Sequence, residues 1–320
     1  MRIARTLILM VALAAPAGAA AQSWPDRPIR FVVSFPPGGV FDTLARLIGP
    51  ELARPLGQPI VIENRPGAGG NIAADAVVKS APDGYTFLVG SEALPTSKFI
   101  YRALSFDPDQ DLAPVTKLAH YPVALAAHPS LPANSVGDLV ALARARPGQI
   151  NFGSAGVGTM GHLAGEYFSS LTGVEMTHVP YKGGAPALQD LVAGRIQVMF
   201  ISVSLSAPQV RQGRLKVLAV AGKQRAARLP EAPTTAEAGY PDFEALLFAS
   251  LYAPAKTPAA IVHRMSAELG NILAAPDVQK RMAELGAVPA ASTPEEFSRE
   301  LRAISVRWGR LIRDRNIHLD

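Results

Sequence analysis

The sequence of 320 residues contains no cysteine, and only 18% of its residues are charged. The absence of cysteine excludes disulfides, iron–sulfur clusters, thiolate zinc sites, a cysteine nucleophile and a lipid anchor on an N-terminal cysteine. The low charged fraction argues against a coiled coil. After the N-terminal segment, no apolar run is long enough to cross a bilayer. The hydrophobic content of 48% is enough for the core of one or two domains.

The sequence also lacks a large net charge of either sign. Lys and Arg number 31, against 26 Asp and Glu. The basic residues are scattered, and no motif that reads nucleic acid accompanies them. Nucleic acid is therefore not an expected partner.

The first 21 residues have the pattern of a secretory signal peptide. Arg2 and Arg5 precede an apolar run over residues 7–15, and Ala19-Ala20-Ala21 offers a cleavage site. A membrane anchor is the weaker alternative, because this run is shorter than the ~20 residues that span a bilayer. We predict that residues 1–21 are cleaved off and that the mature protein is periplasmic.

Short apolar runs alternate with helical patterns along the rest of the chain. This alternation predicts an α/β fold with parallel sheets and right-handed crossovers. Two long extended stretches, 115–127 and 246–252, each follow a block of strand–helix units. The sequence therefore predicts two lobes joined by two crossing strands. The first lobe comprises residues 22–122 and 247–320, and the second comprises 123–246.

Three glycine-rich loops each follow a predicted strand and precede a predicted helix. They are Pro36-Pro37-Gly38-Gly39, Gly67-Ala68-Gly69-Gly70 and Gly153 to Thr159. The first N–H groups of a helix lack internal partners, so such loops bind anions, carboxylates included, without a charged side chain. Each loop alone could be a tight turn. Two in the first lobe and one in the second predict a ligand cleft between the lobes.

The third loop also matches the spacing of a dinucleotide-binding motif from Gly156 to Gly161. That motif needs an acidic residue about 20 positions further on, at the end of the next strand. Here the next strand, 176–179, is followed by Pro180-Tyr181-Lys182, so the acid is missing. No cofactor is predicted.

Patterns for enzymes and metals are weak. Ser154 lacks the glycine that precedes a nucleophile elbow by two residues, since that position is Phe152. Asp42 could serve as a base, but a charge that stabilises the first helix is the simpler interpretation. His162 and Glu166 share a helix face, and a hydrogen bond that orients the helix is favoured over a metal pair. No metal site is predicted.

A series of motifs runs in order through nearly the whole predicted mature chain. They are Trp24-Pro25-Asp26-Arg27-Pro28-Ile29; Phe35 to Gly39 with Asp42, Ala45 and Arg46; Glu63 to Gly70; Pro82-Asp83-Gly84-Tyr85; Asn151 to Gly156 with Gly158 and His162; Val179 to Gly184; Pro233-Thr234 with Glu237 and Gly239; and Ala253-Pro254-Ala255 with Thr257 and Pro258. Together they resemble the Bug-type, TctC-like solute receptors of tripartite tricarboxylate transporters.

The resemblance implies a type II-like periplasmic-binding-protein fold. Each lobe would be a mainly parallel sheet flanked by helices, and the lobes would close on a small organic acid. Its carboxylate would be held largely through backbone groups and bridging water. The ligand-binding residues that we predict, with Ser202 added for the reason given next, are Phe35, Gly38, Asp42, Gly69, Gly70, Ser91, Ser154, Gly158, Thr159, His162, Tyr181 and Ser202.

Two stretches depart from the family pattern. Many relatives have an Asp shortly after Met199-Phe200, whereas this sequence has Ile201-Ser202. An acid near this spot can meet a ligand's ammonium group, and Ser202 offers a hydroxyl instead. Phe248-Ala249-Ser250 also stands where a Trp-Phe-Gly-like run is common. We therefore expect an aromatic acid or a dicarboxylate as the ligand, rather than an amino acid.

The resemblance implies the permease subunits of a tripartite tricarboxylate-type transporter as partners, and a monomer is the expected state. Two alternatives stay open. One is a secreted hydrolase-like enzyme that uses Ser154 or Asp42. The other is a ligand-sensing subunit for a signalling receptor, which the sequence cannot separate from a transport receptor.

Overall fold

The computed structural model describes residues 24–319. The predicted signal peptide, residues 1–21, lies outside the described residues. Within residues 24–319, no helix combines the length and the apolar character needed to cross a membrane.

The first lobe begins with three parallel strands, each followed by a helix. In chain order the elements are β1 (Ile29–Val33), α1 (Val40–Leu56), β2 (Ile60–Asn64), α2 (Asn71–Val78), β3 (Thr86–Ser91) and the one-turn helix α3 (Ser97–Ile100). Strand β1 lies between β2 and β3 and is parallel to both. Phe31 and Val33 of β1 share a core with Leu44 and Ile48 of α1, and all four are fully buried. The buried face of α1 thus covers this sheet.

The second lobe repeats this arrangement. Its elements are α4 (Val136–Ala145), β5 (Asn151–Ser154), α5 (Met160–Thr172), β6 (Thr177–Pro180), α6 (Gly184–Val192), β7 (Val198–Ser202), α7 (Val203–Arg211) and β8 (Lys216–Val220). Strand β5 lies between β6 and β7 and is parallel to both. Phe152, Phe168 and Phe200 fill the core between these strands and α5.

Two strands run antiparallel between the lobes: β4 (Leu112–Ala127) and β9 (Leu246–Pro254). Strand β4 pairs with β9 as far as Pro122, and from Val123 to Ala127 it pairs with β7. Strand β8 pairs with β4 along Ala124 to Ala127. This change of partners supports the predicted lobe limits, which stay a prediction. The strand order is β2-β1-β3-β9-β4-β7-β5-β6.

The chain ends in elements that return to the first lobe and then reach the second. They are α8 (Ala259–Ala274), α9 (Pro276–Glu284), β10 (Val288–Pro289) and α10 (Pro294–Asp314). Helix α10 begins with a capping box formed by Thr293 and Glu296. Phe297 near its start packs in a first-lobe core, whereas Trp308 and Ile312 pack in the core of the second lobe. Helix α10 therefore braces the two lobes.

The alternation of strands and helices and the two crossing strands are as predicted from the sequence. Helix α7 was not predicted, because its sequence VSLSAPQVR combines serines with an internal Pro208 and buries few apolar residues. Strand β4 starts at Leu112, three residues before the extended stretch 115–127 predicted from the sequence. There it is held by pairing with β9. In both places tertiary contacts override local propensity.

Gly165 of α5 tests the packing of the second lobe, and Gly270 of α8 in the first lobe serves as its control. A Cβ added at Gly165 of α5 would lie 2.2 Å from Phe152 Cε2, whereas one added at Gly270 of α8 would meet nothing within 4 Å. We expect Gly165→Ala to lower the free energy of unfolding by about 1–3 kcal/mol through overpacking. Gly270→Ala should raise it by about 0.5–1 kcal/mol through helix propensity. Urea denaturation measures both values, and equal changes would contradict the proposed packing of α5 on β5.

Candidate functional site

A cavity of about 230 Å³ lies between loops of the two lobes. The first lobe contributes residues 35–41 and Glu92. The second contributes residues 155–161, 183–186 and 199–205 in part, and Leu247 closes the wall near the crossing strands. Apart from Glu92, Thr159 and Ser202, the side chains in this wall are apolar. No basic side chain of the described residues lines it. The apolar residues are Phe35, Pro36, Pro37, Val40, Phe41, Ala155, Met160, Ala185, Pro186, Met199, Phe200, Ile201, Leu205 and Leu247.

Four helices begin at this wall. Their N-cap residues are Gly39 for α1, Thr159 for α5, Gly183 for α6 and Ser202 for α7, and all four line the cavity. In the described structure, none of these four residues forms a capping hydrogen bond through a side chain, and two of them are glycines. The first N–H groups of a helix lack internal partners and carry the positive end of the helix dipole. The wall therefore suits an anion although it lacks a basic side chain.

Asp42 shapes the first loop from behind the wall. Its carboxylate accepts hydrogen bonds from Gly38 N at 2.9 Å, Arg46 Nε at 2.9 Å and Asn64 Nδ2 at 3.0 Å. Burial by itself would raise the pKa of Asp42, but these hydrogen bonds outweigh it and hold the pKa below its usual range. Gly38 has φ +77°, a left-handed conformation that favours glycine. Asp42 thus orders the loop as an ionised acceptor, which does not favour a role as a base.

A buried polar cluster supports the loop of the second lobe. Ser154 Oγ lies 2.7 Å from His178 Nε2 and 3.0 Å from the carbonyl oxygen of Gly156. The His162 ring stacks on His178 at 3.8 Å between centroids, and His162 Nδ1 accepts the N–H of Gly158 at 3.1 Å. Ser154 is fully buried and does not line the cavity, so the geometry does not favour it as a nucleophile.

The two histidines of this cluster are uncharged near neutral pH. Burial, followed by the repulsion that a protonated His178 would exert, lowers the pKa of His162 to about 3. Burial lowers the pKa of His178 to about 4. No described residues form a group of three or more metal-ligating side chains. Glu166, the other member of the conceivable metal pair, lies 3.8 Å from His162 Nε2 and forms an ion pair with Arg315 at 2.9 Å.

The other predicted binding residues stand outside the wall. Ser91 is buried, and its Oγ accepts the N–H of Ala93 at 3.3 Å. The Tyr181 hydroxyl donates to Asp190 at 2.7 Å, and burial followed by this bond raises the pKa of Tyr181 to about 12. Gly69 and Gly70 have positive φ in the loop before α2.

Of the twelve predicted residues, four line the cavity. These are Phe35, Gly38, Thr159 and Ser202. The other eight lie behind it or beside it, and several of them hold the loops in place. Contact between a ligand and any of the twelve stays a prediction.

Sequence reasoning missed Glu92. This residue follows β3 directly and is 3% exposed, yet it belongs to the cavity wall. Its carboxylate accepts the N–H of Met160 at 3.2 Å and that of Phe248 at 3.3 Å. Burial raises the pKa of Glu92 to about 7, against the effect of these backbone hydrogen bonds. The sequence signal that could have identified Glu92 is its position, because it is an acidic residue directly after a strand that is wholly buried.

Comparison with known families identifies the group to which this geometry belongs. A family model described as the tripartite tricarboxylate transporter family receptor, TctC, matches residues 44–317. The chain belongs to this family. Protein BugT of Bordetella pertussis is 34% identical over 320 residues, which cover 98% of this chain and 98% of that protein. A protein from the tcbD-tcbE intergenic region of Pseudomonas sp. strain P51 is 39% identical over 292 residues, covering 91% of this chain and 87% of the relative.

Solved structures of family members show the same fold. Rpa4515 of R. palustris with adipate is 38% identical, has a TM-score of 0.87 and covers 92% of this chain and 100% of its own. MatC of Rhodopseudomonas palustris with bound malate is 34% identical and has a TM-score of 0.83. The match covers 90% of this chain and 100% of MatC. Periplasmic binding protein BugD is 30% identical with a TM-score of 0.84, covering 92% and 100%. The predicted family and the two-lobed α/β periplasmic-binding-protein fold are confirmed.

The buried histidines predict how stability depends on pH. Their folded-state pKa values lie below the ordinary 6.5, so between about pH 6.5 and pH 4 the unfolded chain binds protons that the folded chain does not. The free energy of unfolding should therefore fall with falling pH, by up to about 1.4 kcal/mol per pH unit for each histidine. His178→Gln should make this fall less steep.

Urea denaturation at several pH values measures the slope. His263→Gln is the matched control, because the His263 side chain is 56% exposed on α8, and it should keep the wild-type slope. Equal slopes for His178→Gln and wild type would show that His178 is not held uncharged by burial.

Proposed function

We propose that this chain is a periplasmic receptor that captures a small carboxylate between its lobes and delivers it to the permease of a tripartite tricarboxylate-type transporter. One observation carries the proposal: four helices begin at the wall of one largely apolar cavity, and none of them is capped by the side chain of its N-cap residue. In α5 the N–H of Met160 meets the Glu92 carboxylate instead. A carboxylate in this cavity would gain hydrogen bonds from main-chain N–H groups and a favourable helix-dipole field. The ligand is bound and released without chemical change.

The ligand that fits this wall best is a dicarboxylate or an aromatic acid. Apolar side chains, including the Phe35 and Phe41 rings stacked at 4.7 Å, would pack against a methylene chain or a ring. Helix α1 starts on one side of the cavity and α5, α6 and α7 start on the other, so each end of a dicarboxylate would meet main-chain donors. Adipate and malate, which are bound in two relatives, are both dicarboxylates, and this supports the assignment.

The preference for these acids over amino acids follows from the departure of this sequence from the family pattern at residues 201–202. Ile201 and Ser202 line the cavity where many relatives carry an acid that can meet an ammonium group. Ser202 Oγ accepts a hydrogen bond from Ser204 at 3.0 Å, which leaves its own proton to donate to a ligand oxygen.

The remaining parts of the proposal concern the whole protein. Residues 1–21 act as a cleaved signal peptide that directs the chain to the periplasm. The mature receptor is a monomer. Its lobes, 22–122 with 247–320 and 123–246, close about β4 and β9 when a ligand binds. The support for this hinge is the exchange of strand partners on β4 after Pro122.

A thermal-shift screen of residues 22–320 tests the ligand class. Adipate, malate and benzoate are compared with aspartate and glutamate. A ligand at about 100 times its dissociation constant should stabilise the protein by about 2.7 kcal/mol, which is a readily measured shift. We expect shifts with dicarboxylates or aromatic acids and recovery of the ligand unchanged. Tight binding of aspartate or glutamate alone would refute the ligand class, and consumption of the ligand would indicate an enzyme.

Asp42→Ala tests whether the first loop must be held in shape for binding. Loss of the acceptor for three donors should weaken the binding of adipate or malate by about tenfold, while the fold persists. Asp75→Ala is the control, because Asp75 bonds Lys79 and Ser105 away from the cavity and its loss should leave affinity unchanged. Calorimetry measures affinity, and circular dichroism checks folding. Unfolding of Asp42→Ala would make Asp42 a structural residue alone.

A further inference from the structure

Glu92 connects three parts of the receptor. It follows β3 of the first lobe, and its carboxylate accepts one N–H at the start of α5 in the second lobe and one from the crossing strand β9. It lines the cavity proposed to hold the ligand and also an adjoining cavity of about 200 Å³ behind it. An ionisable group therefore sits where the two lobes and a crossing strand meet.

Charged and titratable side chains from every neighbouring element face this region. They are Lys117 and His120 on β4, Tyr252 on β9, Glu244 before β9, and Glu300 and Arg307 on α10. Those of α5, His162 and Glu166, are directed to His178 and Arg315.

The cations among these groups are engaged elsewhere. Lys117 Nζ lies 2.6 Å from Glu300 Oε1, and Arg307 donates to the carbonyl oxygen of Glu244 at 3.1 Å. Burial and the charge of Lys117 lower the pKa of His120, which disfavours the charged form of that ring. Among the described residues, the bonds recorded to Glu92 are with main-chain N–H groups rather than with a cation. Its ionised form is thus buried without a counter-ion, a costly state.

An anionic ligand adds to this cost. A carboxylate bound in this cavity would share it with Glu92, which lines the wall, and a nearby like charge disfavours the ionised form of a carboxyl group. A protonated Glu92 removes the repulsion and supplies an O–H donor to the cavity. A ligand ammonium group would act in the opposite sense and favour ionised Glu92.

We propose that Glu92 is a specificity-determining residue that binds a proton when a dicarboxylate occupies the cleft, so that capture of the ligand takes up a proton from solvent. This inference rests on the proposed function as a carboxylate receptor. In the balanced step, ionised receptor, one proton and the dianion form a complex with a neutral Glu92 side chain. Ligand affinity then falls as pH rises through the range in which free Glu92 ionises.

Calorimetry of wild type with adipate and with malate at about pH 6 and about pH 8 tests this coupling. Affinity should fall about tenfold over this range, since the complex keeps a proton that the free protein loses. Near pH 7, titrations in buffers of different ionisation enthalpy should show uptake of about half a proton per ligand. Glu92→Gln and Glu92→Met, both uncharged, should lose the pH dependence and the proton uptake. Two variants are used in case one of them does not fold.

Glu244→Gln is the matched control. Glu244 lines only the adjoining cavity and faces Lys223 at 3.5 Å, so this variant should keep the wild-type pH dependence. A ligand-free readout accompanies the titrations. Because the folded-state pKa of Glu92 is raised above 4.5, the melting temperature of wild type relative to Glu92→Met should fall from about pH 5 to pH 7.

The outcomes separate the two proposals. If wild type binds adipate or malate equally well at both pH values, the role of Glu92 is refuted and the receptor function stands. The same conclusion follows if the ratio of wild-type affinities at pH 6 and pH 8 equals the ratio for the neutral variants. If wild type binds neither adipate nor malate at either pH, and benzoate does not stabilise it in the thermal-shift screen, the carboxylate receptor function fails, and the coupling fails with it. Proton release on binding an amino acid would assign Glu92 to an ammonium group instead.

Discussion

Parallel strands joined by helices constrain where every helix begins. Each helix of such a unit starts at the carboxyl edge of the sheet, so the uncapped N–H groups of successive helices gather on one side. In this protein α1 starts from one lobe and α5, α6 and α7 start from the other, around the same cavity. Under the proposed function, main-chain geometry would recognise the anion, and the side chains of the wall would match the apolar body of the ligand.

The polar side chains near the cleft serve mainly to hold these loops. Asp42 fixes the first loop through Gly38 and Asn64, and Ser154 with His178 fixes the second. Burial keeps the histidines uncharged and a network of donors keeps Asp42 ionised. A rigid frame of this kind lets backbone donors act on a ligand without the entropic cost of ordering the loop.

The lobes are coupled by more than their two crossing strands. Helix α10 packs Phe297 in one core and Trp308 in the other, while Arg315 near its end forms an ion pair with Glu166 of the second lobe. Glu92 lies at the same junction and bonds main-chain groups of α5 and β9. The cavity, the crossing strands and an ionisable group are therefore adjacent, which gives the proposed proton coupling a direct physical route.

The sequence alone was sufficient for the family, the alternation of strands and helices and the two crossing strands. These properties are local, because apolar periodicity and turn residues act over a few positions. The sequence did not predict α7, because its serines and Pro208 disfavour a helix and tertiary contacts hold this short helix in place.

Tertiary structure alone decided which side chains face the cleft. His162 and Tyr181 sit in motifs but point to His178 and Asp190, whereas Glu92 carries no motif and lies in the wall. Periodicity and motif spacing assign a residue to an element, but they do not set the direction of its side chain. That direction, and the burial that shifts the pKa of Glu92, depend on which distant segments pack around it.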